Sequence, residues 1–135
     1  MPQEKNKEIV KTMLEKMITH FQCDAETVST YFSDDYVQYV DKKVLDKQGL
    51  SDHMGKLPKR FKSMSVTFLA LIAEDDRVFS SHIVRAISPL KEKIFMHSMA
   101  YFILKDYKII QCTELTRFIE NPEQDVMLTD SLKNK

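Results

Sequence analysis

Residues 64–118 read MSVTFLALIAEDDRVFSSHIVRAISPLKEKIFMHSMAYFILKDYKIIQCTELTRF, and this stretch decides the fold. It divides into four segments, 65–73, 77–87, 92–104 and 108–118, each with apolar residues at alternate positions. That period of two is the signature of strands with one buried face. Asp75-Asp76, Ser88-Pro89-Leu90 and Lys105-Asp106-Tyr107 separate them. Connections so short join antiparallel neighbours, so the four strands form a meander. Two polar groups lie among the apolar ones, His82 on the second strand and Glu114 on the fourth.

Upstream the period changes from two to 3.6. Ile9, Val10, Met13, Leu14, Met17, Ile18 and Phe21 form one apolar stripe and predict a helix over residues 3–20. Asp24 is placed to cap a short second helix, whose apolar face is Val28, Tyr31 and Phe32. Ser33-Asp34-Asp35 breaks it, and residues 36–40 read as a short strand that is apolar on both faces. Asp46 caps a third helix, with Leu50, His53, Met54, Leu57 and Phe61 on one face. Gly55 and Pro58 interrupt it, so a kink or an early end is expected near Leu57.

Helices first and a long curved sheet afterwards predict an α+β, cone-like roll. Three N-terminal helices pack on a mostly antiparallel sheet that encloses a pocket. Residues 1–118 make one domain and residues 119–135 a polar tail, in which only Val126-Met127-Leu128 is apolar. A chain of 135 residues with 43% hydrophobic and 30% charged residues can bury a real core. Lys+Arg and Asp+Glu balance at 20 each, which leaves no basic excess for nucleic acid. No apolar run reaches the length of a membrane span, and the first eight residues are too polar for a signal peptide, so a cytoplasmic location is expected. Cys23 and Cys112 have no metal spacing and no C-x-x-C motif and read as free buried thiols.

Several segments resemble the SnoaL-like, nuclear transport factor 2-like superfamily. Tyr31-Phe32-Ser33-Asp34-Asp35-Tyr36-Val37-Gln38 is similar to its junction of second helix and first strand, and Gln48-Gly49-Leu50 with His53 to the start of its third helix. Ala73-Glu74-Asp75-Asp76-Arg77-Val78 resembles its first turn of the meander. Lys105-Asp106-Tyr107-Lys108-Ile109-Ile110 followed by Glu114 resembles its last hairpin. The family's hairpin glycine is Tyr107 here, so that turn takes another geometry or accepts strain. The resemblance covers roughly residues 7–118 and implies a cone with an internal site. Where polyketide cyclases of the family carry an acid/base aspartate, this chain has Arg117. The ketosteroid isomerase base falls at about Val40, beside Asp41. The limonene epoxide hydrolase set falls on His82, Val84 and Glu114, and scytalone dehydratase has a histidine near His82.

If His82 faces the cone, alternation turns Ser80 and Val84 inward and Ser81, Ile83 and Arg85 outward. By the family's pattern Met96, Ser98, Ala100 and Phe102 also face inward, with Cys112 and Glu114 on the last strand. An apolar cavity with few polar groups suits a small, largely apolar molecule. His82 and Glu114 are the catalytic candidates for cofactor-free isomerisation, dehydration or hydrolysis, since a carboxyl raised by burial and an imidazole make an acid/base pair. They equally fit a structural hydrogen-bonded pair. Tyr36, Gln38, His53, Met96, Ser98 and Phe102 are candidate ligand contacts; if the first strand is flipped, Tyr39 and Asp41 enter instead. His97 alternates outward, and His20 ends the first helix. No metal or nucleotide cofactor is implied. The convex face would carry Phe79, Ile83 and Tyr101, which predicts a homodimer through the sheets. A ligand-binding protein without turnover and an association module are the alternatives to an enzyme.

Overall fold

The computed structural model describes residues 2–120, with side chains from Gln3 onward. The expected packing of Val126-Met127-Leu128, and all of the tail beyond Glu120, lie outside the described residues. Helix α1 (Pro2–Leu14) continues into one wider, π-type turn (Glu15–Thr19). Then come α2 (Ala25–Tyr31), β1 (Phe32–Val40), β2 (Lys43–Asp46), α3 (Lys47–Gly55) and the single turn α4 (Leu57–Arg60). The meander follows as β3 (Ser63–Glu74), β4 (Arg77–Ile87), β5 (Lys93–Lys105) and β6 (Lys108–Ile119).

The six strands form one sheet in the order β2-β1-β6-β5-β4-β3. Every pair is antiparallel except β1 with β6, which run parallel. That arrangement closes the first third of the chain onto the last strand, and it is what brings β1 residues beside β6 residues. Helix α1 and its π-type turn pack on β3, while α3 packs on β1 and β2. Between helices and sheet lie Val10, Met13, Met17, Val28, Leu104 and Ile109, all buried.

Local chemistry explains the boundaries. The Asp46 carboxylate accepts the Gly49 N–H at 2.7 Å, satisfying a free donor of α3's first turn. Helix α3 ends at Gly55, and Pro58 falls in the first turn of α4, where a missing N–H removes no helical bond. Asp24 does stand at the N-terminal boundary of α2, but its carboxylate makes no capping bond to the helix N–H groups; it accepts the Thr27 hydroxyl at 2.6 Å instead.

One further expectation needed revision, one strand was not anticipated, and one open choice is resolved. The strand expected at residues 36–40 begins at Phe32, and Ser33-Asp34-Asp35 acts inside it as an irregularity: the β6 pairing jumps from Phe32↔Ile109 to Val37↔Gln111. Strand β2 was not anticipated; it is a four-residue edge reached through a two-residue turn in which Asp41 has φ 52°. The β5–β6 turn keeps the left-handed geometry without glycine, with φ 50° at Asp106 and 64° at Tyr107. Both residues bend the way the flanking strands twist, and the Lys5 ammonium sits 4.0 Å from the Tyr107 ring centre.

Candidate functional site

Cross-strand pairing defines the concave face row by row. One row runs Gln38, Cys112, Phe102, Val78, and the next Val40, Glu114, Ala100, Ser80. A third runs Thr116, Ser98, His82, Phe68. The facing of β1 is thereby settled: Tyr36 and Gln38 are buried, while Tyr39 is 43% exposed on the opposite side.

At the β1–β6 end the Tyr36 hydroxyl donates to Gln38 Oε1 at 2.8 Å. Both residues are buried, and the Cys112 thiol and Glu114 carboxyl lie close enough to act on the same hydroxyl. Burial pushes the Tyr36 and Cys112 pKa values up, and neighbouring Glu114 adds to both. Glu114 is itself only partly accessible, and its carboxylate forms no hydrogen bond among the described residues. Burial, then the nearby Asp41 charge, pushes its pKa up to about 7. Asp41 is tied to this point of the sheet, since its N–H donates to the Glu114 carbonyl at 3.2 Å.

Across the sheet, His82 is 1% exposed and its Nδ1 lies 2.8 Å from Ser80 Oγ. Burial, then the neighbouring His97, lowers its pKa to about 4, so the ring is neutral at physiological pH. Ser98 and Thr116, between His82 and β6, share a hydrogen bond of 3.0 Å. His82 and Glu114 therefore share a face but not a hydrogen bond: strand β5 lies between them, they stand in neighbouring rows, and the partner of His82 is Ser80.

The remaining expected contacts divide. Phe102 and Ser98 are buried on the concave face, and Met96 is half-buried between Val84 and Phe118. His53 departs from the inner face expected for it. It is exposed, while Leu50, Met54 and Leu57 turn to the core. At 3.6 residues per turn it sits at the edge of that stripe. Partial burial, then Arg60, Lys43 and Lys56, lowers its pKa. Among the described residues no three His, Cys, Asp or Glu side chains converge as a metal-binding group.

The convex face behaves as alternation predicts, with one exception. Tyr101 is exposed and Phe79 half-buried, but Ile83, expected to be exposed apolar surface, is only 3% accessible. Its cross-strand partners Thr67 and His97 flank it. His97 points outward, with Ser81 Oγ at 2.8 Å from its Nε2 and Arg117 at 3.3 Å from its Nδ1. Leu69, Ile72, Met99 and Leu115 are exposed on the sheet as well. An open groove of about 590 Å³ lies on the outer side of β1 and β6, lined by Asp35, Val37, Tyr39, Lys105 and Lys108 among others. Sequence reading gave no role to Ser80 or Thr116, although their spacing of two from His82 and Glu114 already placed them on the same face.

The architecture is the SnoaL-like, nuclear transport factor 2-like fold. It superposes on a protein from Streptomyces galilaeus put forward as a hydroxylase with a TM-score of 0.74 at 17% identity, covering 85% of this chain and 80% of that one. For an epoxide hydrolase of M. tuberculosis similar to limonene epoxide hydrolase the TM-score is 0.73 at 13% identity, over 87% and 86%. For a SnoaL-like protein of Jannaschia sp. put forward as a polyketide cyclase it is 0.70 at 12% identity, over 85% and 87%. No family model matches the sequence. An uncharacterized protein of Schizosaccharomyces pombe is 25% identical over 110 residues, covering 82% of this chain and 85% of its own.

Proposed function

We propose that the concave face binds a small, largely apolar molecule in an internal pocket and moves a proton on it without a cofactor, by isomerisation, dehydration or hydrolysis. One observation carries this reading. A carboxyl with no hydrogen-bond partner among the described residues stands among apolar and weakly polar side chains and is poised to titrate near neutrality. Glu114 is the acid/base group. His82, neutral and anchored to Ser80, serves as a hydrogen-bonding group at the other side of the site. Tyr36, Gln38, Ser98, Met96 and Phe102 line the space between, and His53 stands at its edge. That polyketide cyclase and epoxide hydrolase assignments accompany the same fold supports acid/base chemistry on such a face without choosing the reaction.

The test is a turnover screen of cyclic enones, epoxides and hydroxylated aromatics, followed by mass spectrometry. Substrates found this way should lose about 100-fold or more of their turnover in Glu114→Gln, with the melting temperature preserved. Unchanged turnover in that variant removes Glu114 from the role. Saturable binding without turnover transfers the site to a ligand-binding protein.

A second reading rests on the convex face, where Ile72, Met99, Tyr101 and Leu115 are exposed together. Apolar surface of this kind fits a twofold homodimer through the sheets. Sedimentation should report a dimer that Met99→Lys with Leu115→Lys converts to monomer; a monomeric parent chain overturns it. Among the described residues no helix is long and apolar enough to cross a membrane.

A further inference from the structure

One end of the concave face is left open by the described residues. Ser63, Ile87, Lys93 and Ile119 stand together there, at the ends of their strands. The chain crosses this end between α3, packed on β1 and β2, and β3, where the Lys62 N–H donates to the Ile87 carbonyl at 2.7 Å. The row Val66, Val84, Met96, Phe118 is covered at one side only: Val84 is 4% exposed and Phe118 77%. Alternation sets Phe118 on the same face as Glu114 and Thr116, the face that is otherwise dry. The β6 edge beside it is bare as well. Pairing with β1 stops at Val40↔Glu114, so residues 115–119 have β5 on one side and, among the described residues, no strand on the other. An uncovered strand edge offers a row of backbone donors and acceptors.

Positive charge is in excess at this end. Lys56, Lys59, Arg60, Lys62 and Lys93 are exposed, and none forms an ion pair among the described residues, although Glu92 and Glu120 stand at the same end. The chain itself supplies the complement. After Glu120, residues 121–130 read Asn-Pro-Glu-Gln-Asp-Val-Met-Leu-Thr-Asp, with three acidic residues, no basic one and a single apolar run. Asn-Pro is a turn-forming pair. Six residues of extended chain from Glu120 to Val126 span about 20 Å, so a reversal at Asn121-Pro122 lets residues 126–128 lie back along residues 115–118.

We propose that residues 121–130 reverse at Asn121-Pro122 and dock on this open end. Val126-Met127-Leu128 cover Phe118 and the bare β6 edge, and Glu123, Asp125 and Asp130 face the lysine and arginine side chains of the crossing. The docked segment completes the wall of the concave face. A second copy of the chain, with a formal net charge of zero, brings no such complement; residues 121–130 carry it from a few residues away. That this wall borders a ligand rests on the functional reading above; the docking itself does not.

The experiment is a nuclear Overhauser spectrum of the full chain at low salt, with hydrogen exchange of its backbone amides. Contacts are expected from the Phe118 ring to the methyl groups of residues 126–128, together with slowed amides in residues 115–119. In Val126→Ser with Leu128→Ser, the backbone spectrum otherwise retained, those contacts should vanish and exchange at 115–119 should quicken by about tenfold or more. Lys56→Glu with Arg60→Glu should weaken the same contacts, and contacts unaltered by that reversal overturn the charge pairing. A Phe118 ring without contacts to 126–128 overturns the docking, and so does equal exchange at 115–119 in parent and Val126→Ser/Leu128→Ser. Contacts from 126–128 to Met99 and Tyr101 place the segment on the convex face and overturn it too. Contacts that appear only between differently labelled copies give the surface to a second copy instead. The turnover screen above can fail with these contacts present, which would sink the functional reading and leave the docking standing.

Discussion

The two faces of one sheet have been put to opposite uses. The concave face buries its polar groups and partners most of them in twos: Tyr36 with Gln38, Ser80 with His82, Ser98 with Thr116. The convex face exposes apolar side chains instead, Leu115 at 59% and Ile72 at 61%. Alternation alone assigns a side chain to a face but does not say which face will be dry. The helices decide that: α1 and its π-type turn cover β3, α3 covers β1, and the covered side becomes the place where a charge is expensive. Among the described residues the Glu114 carboxylate on that side has no hydrogen-bond partner. Its reluctance to ionise comes from position, not from residue type.

The sharpest way to break this contrast is to truncate one large apolar side chain on each face. Phe102 is 3% exposed in the row between Cys112 and Val78, and Phe102→Ala should cost about 3–5 kcal/mol in chemical denaturation. Leu115→Ala on the convex side should change stability by about 0.5 kcal/mol or less in the monomer. Similar losses from both would mean that the convex face is packed as a core and the distinction fails.

The next effect concerns pH. Glu114 holds its proton more tightly in the folded chain, at about 7 against 4.5. Between those values the folded state binds more protons than the unfolded one, so this group withdraws stability as pH rises, by about 3 kcal/mol above pH 7. His82 has the opposite slope. Its folded pKa of about 4 lies below 6.5, so stability is lost on acidification through that window, by a similar amount. From these two groups the parent chain should vary little between pH 4.5 and 6.5. Glu114→Gln should uncover the His82 slope, with stability rising from pH 4 to 6.5, and should exceed the parent's stability above pH 7. Denaturant midpoints across that range decide it, and parallel profiles for the two proteins would show that Glu114 is not in a costly position.

The smallest effect lies at the rim. Tyr107 holds φ 64° without a glycine's freedom, so Tyr107→Gly should stabilise the fold by about 1 kcal/mol, less whatever the Lys5–Tyr107 contact contributes. A destabilised variant would mean that this contact outweighs the backbone strain.

Much of this was legible in the sequence because alternation is local. Once His82 was taken as facing inward, alternation turned Ser80 inward with it and His97 outward, while Ser98 was placed inward by the family's pattern. The Asp46 cap and the break near Pro58 were local as well. What escaped depends on pairing across the chain. Strand β2 is short and polar at its ends, so it carries no pattern of its own and exists through its ladder with residues 37–40. The β1–β6 parallel pairing brings Asp41 to Glu114 across more than seventy residues, a proximity no periodicity encodes. His53 was misplaced because a residue at the edge of an apolar stripe turns outward or inward according to what the stripe packs on. The bond from Ser80 to His82 needed only two-residue spacing, but its choice over a His82–Glu114 pair required knowing that strand β5 lies between them.

The central claim is that Glu114 stands in a dry face where its proton is exchangeable near neutral pH. Its most direct test is a ¹³C titration of the Glu114 side-chain carboxyl in the full chain, repeated in Asp41→Asn. The account predicts a midpoint near 7, moved downward when the Asp41 charge is removed. A midpoint near the ordinary 4.5, unmoved by Asp41→Asn, would contradict it.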